Sequence, residues 1–261
     1  MARLRDLFWL WGHPEGCFNH KCGNEGESRM TPLEGILYLG GRNTFMVPMG
    51  IKVNRRQYNK SFRPLQRVGW DVYGAARDPD EVNVLIEESR EFPNISAAVL
   101  DDFIREGTYK DIPLSNLFEL RRRLHEDGPR PIDMWMVLYT REFGLDAAED
   151  AQFRPYIEPF DGIILWTWEE RDIVLFEEKW EIFRRMTEGK RRMLGCYLYN
   201  FGESKQATGK AVLWQLDRYR ELILAGEAEG VVLHTNTMAD LDYEAYDAAQ
   251  AWLDRHGDEE I

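Results

Sequence analysis

Short, nearly continuous apolar runs alternate along this chain with longer stretches in which apolar residues recur at helical spacing. The first run, Leu7-Phe8-Trp9-Leu10-Trp11, stops at Gly12. After a polar loop, Thr31-Pro32-Leu33-Glu34 forms a capping box with proline at the first helical position and predicts a helix through Leu39. Asn43 to Met49 reads as the second strand, Asn54 to Val68 as a second helix flawed by Pro64, and Val68 to Ala75 as the third strand. Asp78-Pro79-Asp80-Glu81 supplies a cap, a proline and two first-turn acids to a helix that carries Val82, Leu85 and Ile86 and ends before Pro93. Five further strands are read at 95–100, 132–139, 162–168, 193–199 and 231–233, alternating with helices at 114–124, 148–156, 176–186, 211–224 and 243–253. Strict alternation of eight strands and eight helices, at about 30 residues per unit, predicts a single (β/α)8 barrel over residues 1–261. An open doubly wound sheet would carry a glycine-rich phosphate fingerprint after its first strand, and none is present.

Composition narrows the partners. The 33 basic and 46 acidic residues leave a formal charge of −13, which repels nucleic acid and anionic membrane surfaces. No apolar run approaches the roughly 18 residues of a membrane helix. The start of the chain is basic, but no apolar core or cleavage site follows, so a cytoplasmic protein, or one whose export signal has been removed, is expected. Three cysteines cannot build a disulfide framework, which favours a reducing compartment. Nine tryptophans in 261 residues call for a cause, and indoles collect both in cores and where flat sugar rings stack.

In a barrel, chemistry sits just past the C-terminal ends of the strands. That filter selects Trp11 and His13, then Met49, then Trp70 or Asp71, and then Asp101 and Asp102. Tyr139, Arg141 and Glu142 follow, with Trp166, Trp168, Glu169 and Glu170, then Tyr199 and Asn200, and finally His234 and Asn236. Paired acids end strands four and six, the latter amid indoles. Cleavage of a glycosidic bond needs two carboxyl groups in different protonation states, and a neighbouring indole helps raise the pKa of the acid. Strand parity leaves Asp101 and Asp102 equal as candidates and favours Glu169 over Glu170. The indoles would stack on a sugar, while Tyr139, Asn200, His13, His234 and Asn236 would bond its hydroxyls. Arg141 suits an anionic sugar such as a uronate, or pairs with Glu142 beside it.

On the motifs Leu100-Asp101-Asp102-Phe103 and Trp166-Thr167-Trp168-Glu169-Glu170, the chain resembles the (β/α)8 glycoside hydrolases, and among them the α-galactosidase-like clan. That resemblance implies a nucleophile at Asp101 or Asp102 and an acid/base at Glu169 or Glu170, although the clan usually carries aspartate at the second position. The glycosidase clan with glutamates after strands four and seven does not fit Tyr199-Asn200-Phe201-Gly202.

Two other classes use the same mouth. His13, Asp101, Glu169 and His234 could hold a divalent ion, as in isomerases and aldolases on this fold. Alternatively, the aromatic residues bind carbohydrate while the acids are merely structural. The string His13, Cys17, His20 and Cys22 matches no standard zinc spacing, and the expectation is that no cofactor is needed. The sequence is silent on oligomeric state.

Overall fold

The structure, a computed structural model, describes residues 2–261, the side chains at 105 and 106 excepted. Eight parallel strands close into a barrel: β1 (Phe8–Gly12), β2 (Asn43–Met46), β3 (Arg67–Asp71), β4 (Ile95–Leu100), β5 (Asp133–Tyr139), β6 (Gly162–Trp166), β7 (Arg191–Tyr197) and β8 (Gly230–His234). Closure comes from β1 pairing with β8, Trp9 opposite Val232. The outer helices are α1 (Pro32–Tyr38), α2 (Arg55–Ser61), α3 (Asn83–Glu91), α4 (Leu114–Glu126), α5 (Ala147–Ile157), α6 (Phe176–Met186), α7 (Gly209–Leu224) and α8 (Glu244–His256).

Local chemistry places most of these boundaries. Thr31 and Glu34 make the reciprocal capping box of α1, with the Thr31 amide donating to Glu34 at 2.8 Å. Helix α2 stops at Ser61, well short of Val68, because Pro64 cannot continue it. Asp78 heads a short 3-10 turn, Pro79–Val82, and α3 follows from Asn83. Strand β2 ends at Met46 rather than Met49. Strand β3 ends at Asp71, where the chain turns into another 3-10 segment, Tyr73–Ala76. Strand β7 likewise ends at Tyr197. Tyr199 and Asn200 leave the barrel and pair antiparallel with Lys205 and Gln206 in a small ribbon.

Two apolar layers hold the molecule together, one between strands and helices and one inside the barrel. The inner layer contains Trp9, Trp11, Trp135 and Trp166 and the outer one Trp70, Trp180 and Trp252, so seven of the nine indoles are packing groups. Inside the barrel, ring bulk is matched by glycine on the next strand. Trp135 lies opposite Gly162 and Phe45 opposite Gly69, and a Cβ built on either glycine would fall 2.2 or 2.3 Å from the facing ring. Gly195 of β7 meets Trp166 of β6 in the same way, at 2.1 Å. Large against small across these three seams lets the rings interlock with the neighbouring backbone.

Candidate active site

One side of the barrel mouth is roofed. The segment between β1 and α1 crosses over it, pinned by Tyr199 Oη donating to the Cys22 carbonyl (3.1 Å) and Tyr243 Oη donating to Asn24 Oδ1 (2.6 Å). Phe18 from this segment packs on Phe201, His13 and His234, with ring centroids 4.8, 5.2 and 5.9 Å away. Beneath it, Asn236 accepts from the His13 amide at 2.8 Å and donates to the carbonyls of His13 (3.0 Å) and Met30 (2.7 Å). Its Oδ1 also accepts the Thr235 hydroxyl at 3.3 Å, so its polar capacity is spent within the protein.

The two histidines form a buried pair whose tautomers follow from their partners. His13 Nδ1 must donate to the Val47 carbonyl at 2.7 Å, so its Nε2 is an acceptor and receives the Nε2–H of His234 at 3.1 Å. Burial lowers the pKa of His13 to about 4, and burial together with the neighbouring His13 holds His234 well below the ordinary histidine value. Both are neutral where most enzymes work. The expectation that His13, His234, Tyr199, Asn200 and Asn236 bind substrate hydroxyls thus meets a different arrangement. Asn200 caps its own turn by accepting from the Glu203 amide, Tyr199 anchors the roof, and Trp11 and Trp166 are buried in the barrel. The cysteine and histidine string does not converge either. Cys17 faces Met49 with sulfurs 3.9 Å apart, and exposed His20 pairs with Glu27 at 3.0 Å. Among the described residues, no group of three or more His, Cys, Asp or Glu side chains stands where it could hold a metal, which removes the support for the ion-binding set His13, Asp101, Glu169 and His234.

The unroofed side, over β3 to β7, holds the ionisable groups. Asp71 ends β3 on the inward parity of Gly69, and its carboxylate accepts the backbone N–H of Tyr73 (3.0 Å) and of Asp101. Burial nevertheless dominates and pushes its pKa up to about 6, with the negative field of Asp102 adding to the rise and Arg55 opposing it. Asp102, in a left-handed backbone conformation at φ 49°, accepts the Tyr139 hydroxyl at 3.0 Å. Tyr197 stands beside Tyr139, and the charges of Asp101 and Asp102 act on both phenols. Burial holds both phenols protonated far above the usual tyrosine range. Trp168 stands edge-on to both tyrosines, at 5.9 and 5.6 Å.

The acids after β6 have other partners. Glu170 accepts both the amide (2.8 Å) and the hydroxyl (3.0 Å) of Thr208, the residue that caps α7. Glu169 is ion-paired with Arg171, and Glu142 accepts the Tyr139 amide at 2.9 Å. Asp71 and Tyr197 are the mouth groups least visible in sequence. The signal was inward parity, Gly69 to Asp71 and Met193 to Gly195 to Tyr197, and a strand end placed at Tyr199 instead of Tyr197 hid the second.

No protein-family model matches the sequence, and a search of curated proteins likewise gives no match. Solved structures do match over the full barrel. The catalytic domain of a hyperthermophilic chitinase from Pyrococcus furiosus has 10% identity and a TM-score of 0.65, covering 100% of this chain and 99% of that one. The PgaB glycoside hydrolase domain from Bordetella bronchiseptica has 9% identity and a TM-score of 0.58, covering 98% and 100%. A tryptophan synthase α-subunit from Pyrococcus furiosus has 12% identity and a TM-score of 0.51, covering 99% and 98%. Because barrels of different chemistry match at such identities, the likeness fixes architecture alone: this chain is a (β/α)8 barrel.

Proposed function

We propose that the protein is a glycoside hydrolase-like enzyme that cleaves a glycosidic bond over the β3–β7 side of its mouth. The observation that carries this reading is a pair of carboxyl groups in contrasting surroundings: Asp71, desolvated and raised to about 6, and Asp102, which receives the Tyr139 hydroxyl. Such a contrast is how two carboxyl groups divide acid and base roles. Asp71 in its protonated form gives its proton to the departing glycosidic oxygen. Asp102, or its neighbour Asp101, faces the anomeric centre as the carboxylate, and one water is consumed in completing hydrolysis. The Tyr139 and Tyr197 hydroxyls and Trp168 orient the sugar around them.

The test is turnover of a panel of aryl glycosides and oligosaccharides. Asp71→Asn and Asp102→Asn are each expected to lower kcat/KM at least about 10²-fold with circular dichroism unchanged. Activity should fall as pH rises through about 6, where Asp71 loses its proton. Wild-type protein inert on the whole panel while still binding oligosaccharide would leave a carbohydrate-binding protein instead.

A second reading keeps the α-galactosidase-like layout, with Glu169 as the acid. It is favoured by the position of Glu169 at the end of β6 beside Trp168, and it requires Arg171 to swing away. Glu169→Gln separates the two, since it abolishes turnover only on this second reading.

A further inference from the structure

The proposed hydrolysis leaves the cation of Arg141, at the mouth, without a task. Its guanidinium lies over the rings of Trp168 and Tyr139, 5.0 and 5.3 Å from their centroids. Stacking of this kind fixes the plane of the guanidinium and leaves its N–H edge for a ligand. The residue does not pair with adjacent Glu142, whose Oε2 instead accepts the Tyr139 amide at 2.9 Å. Among the described residues Arg141 has no carboxylate partner, whereas Arg56, Arg123 and Arg171 each have one. It also lines a cleft of about 340 Å³ between the segments that follow β4 and β5, and Lys110 on the other wall is equally without an acid partner. Three of the four acids lining this cleft, Glu142, Asp146 and Asp150, accept backbone amides. Asp146 accepts the amides of Ala148 and Glu149, and both oxygens of Asp150 accept the Gly144 amide at 3.0 and 3.1 Å.

We infer that this cleft is a subsite for an oxyanion carried by the glycan, with Arg141 as the specificity-determining residue and Lys110 as its second cation. A substrate lying across the mouth would place a uronic carboxylate or a sulfate ester on the sugar next to the cleaved bond against the Arg141 fork. The overall charge of −13 does not forbid this. Repulsion from distant charges is screened within about 8 Å at physiological salt, whereas a bidentate guanidinium contact acts at hydrogen-bond distance. The inference rests on the proposed carbohydrate substrate and narrows it to acidic glycans.

Calorimetric titration of the full chain with an oligouronide, a sulfated oligosaccharide and a neutral oligosaccharide of equal length tests it, with product analysis run in parallel. The wild type is expected to bind at least one acidic ligand about tenfold more tightly than the neutral one, and the better of the two names the anion. Arg141→Gln should remove at least about tenfold from the ratio of acidic to neutral affinity, and Lys110→Gln a smaller part. Both residues are exposed, so neither replacement should disturb folding. Equal or better binding of the neutral ligand by the wild type, or an unchanged ratio in Arg141→Gln, overturns the inference. Turnover of a neutral glycoside without any acidic preference would do so while leaving the hydrolase reading in place. Acidic binding without turnover would uphold the subsite and remove the hydrolase reading.

Discussion

Asn236 illustrates how a single side chain closes the roofed half of the mouth. Fully buried, it exchanges three hydrogen bonds with the backbone of His13 and Met30, and a Cβ on Gly35 of α1 would lie 2.6 Å from its own Cβ. Alanine here leaves one amide and two carbonyls without partners in a dry environment. Asn236→Ala should cost about 2–4 kcal/mol in urea unfolding, with near-normal secondary structure at low denaturant. At this scale the sequence was half legible. Strand ends point to the side of the mouth where Asp101, Asp102, Tyr139, Arg141 and Trp168 lie, because backbone parity is local. What each polar group does there was not legible, since the deciding partner is remote in sequence. Glu170 reads like a catalytic acid until Thr208 is beside it, and His13 reads like a sugar ligand until Val47 and His234 take both ring nitrogens.

At the scale of elements, the contact between Glu170 and Thr208 ties the end of β6 to the first turn of α7. Thr208 accepts the Ala211 amide at 3.2 Å, and Glu170 adds a negative charge to a helix end whose free amides favour one. Glu170→Ala should therefore lower stability by about 0.5–2 kcal/mol and change turnover less than about threefold, a pairing of results that a catalytic role would reverse. Thermal unfolding and steady-state kinetics on the same preparation read both. Order and type of all sixteen barrel elements followed from periodicity and caps, because each strand and helix buries its own apolar face. Boundaries slipped where tertiary contacts decide them. Residues 193 to 199 look like one strand, yet the chain leaves the barrel after Tyr197 so that Tyr199 can hold the roof.

For the whole molecule, buried ionisable groups set how stability depends on pH, and they pull in opposite directions. Between about 4 and 6.5 the unfolded chain protonates its histidines while His13, and with it His234, stays neutral, so the unfolded state binds more protons and acid costs stability. Asp71 works the other way. Between its ordinary 3.8 and about 6 the native state holds the extra proton, and stability is lost as pH rises through that window. The histidines outnumber it, so the urea midpoint should fall from pH 7 to pH 4.5, and Asp71→Asn, lacking the compensating proton, should fall further over the same interval. The glycines set against Trp135, Trp166 and Phe45 bear on a different global property. A closed sheet has no free edge to report a mispaired strand, and a slip along one seam must be absorbed all the way round. Here a slipped strand would offer each ring a neighbour with a side chain in place of the bare backbone it needs. Three of the eight seams are thereby keyed, so that correct alignment is the one arrangement in which Phe45, Trp135 and Trp166 each find their notch.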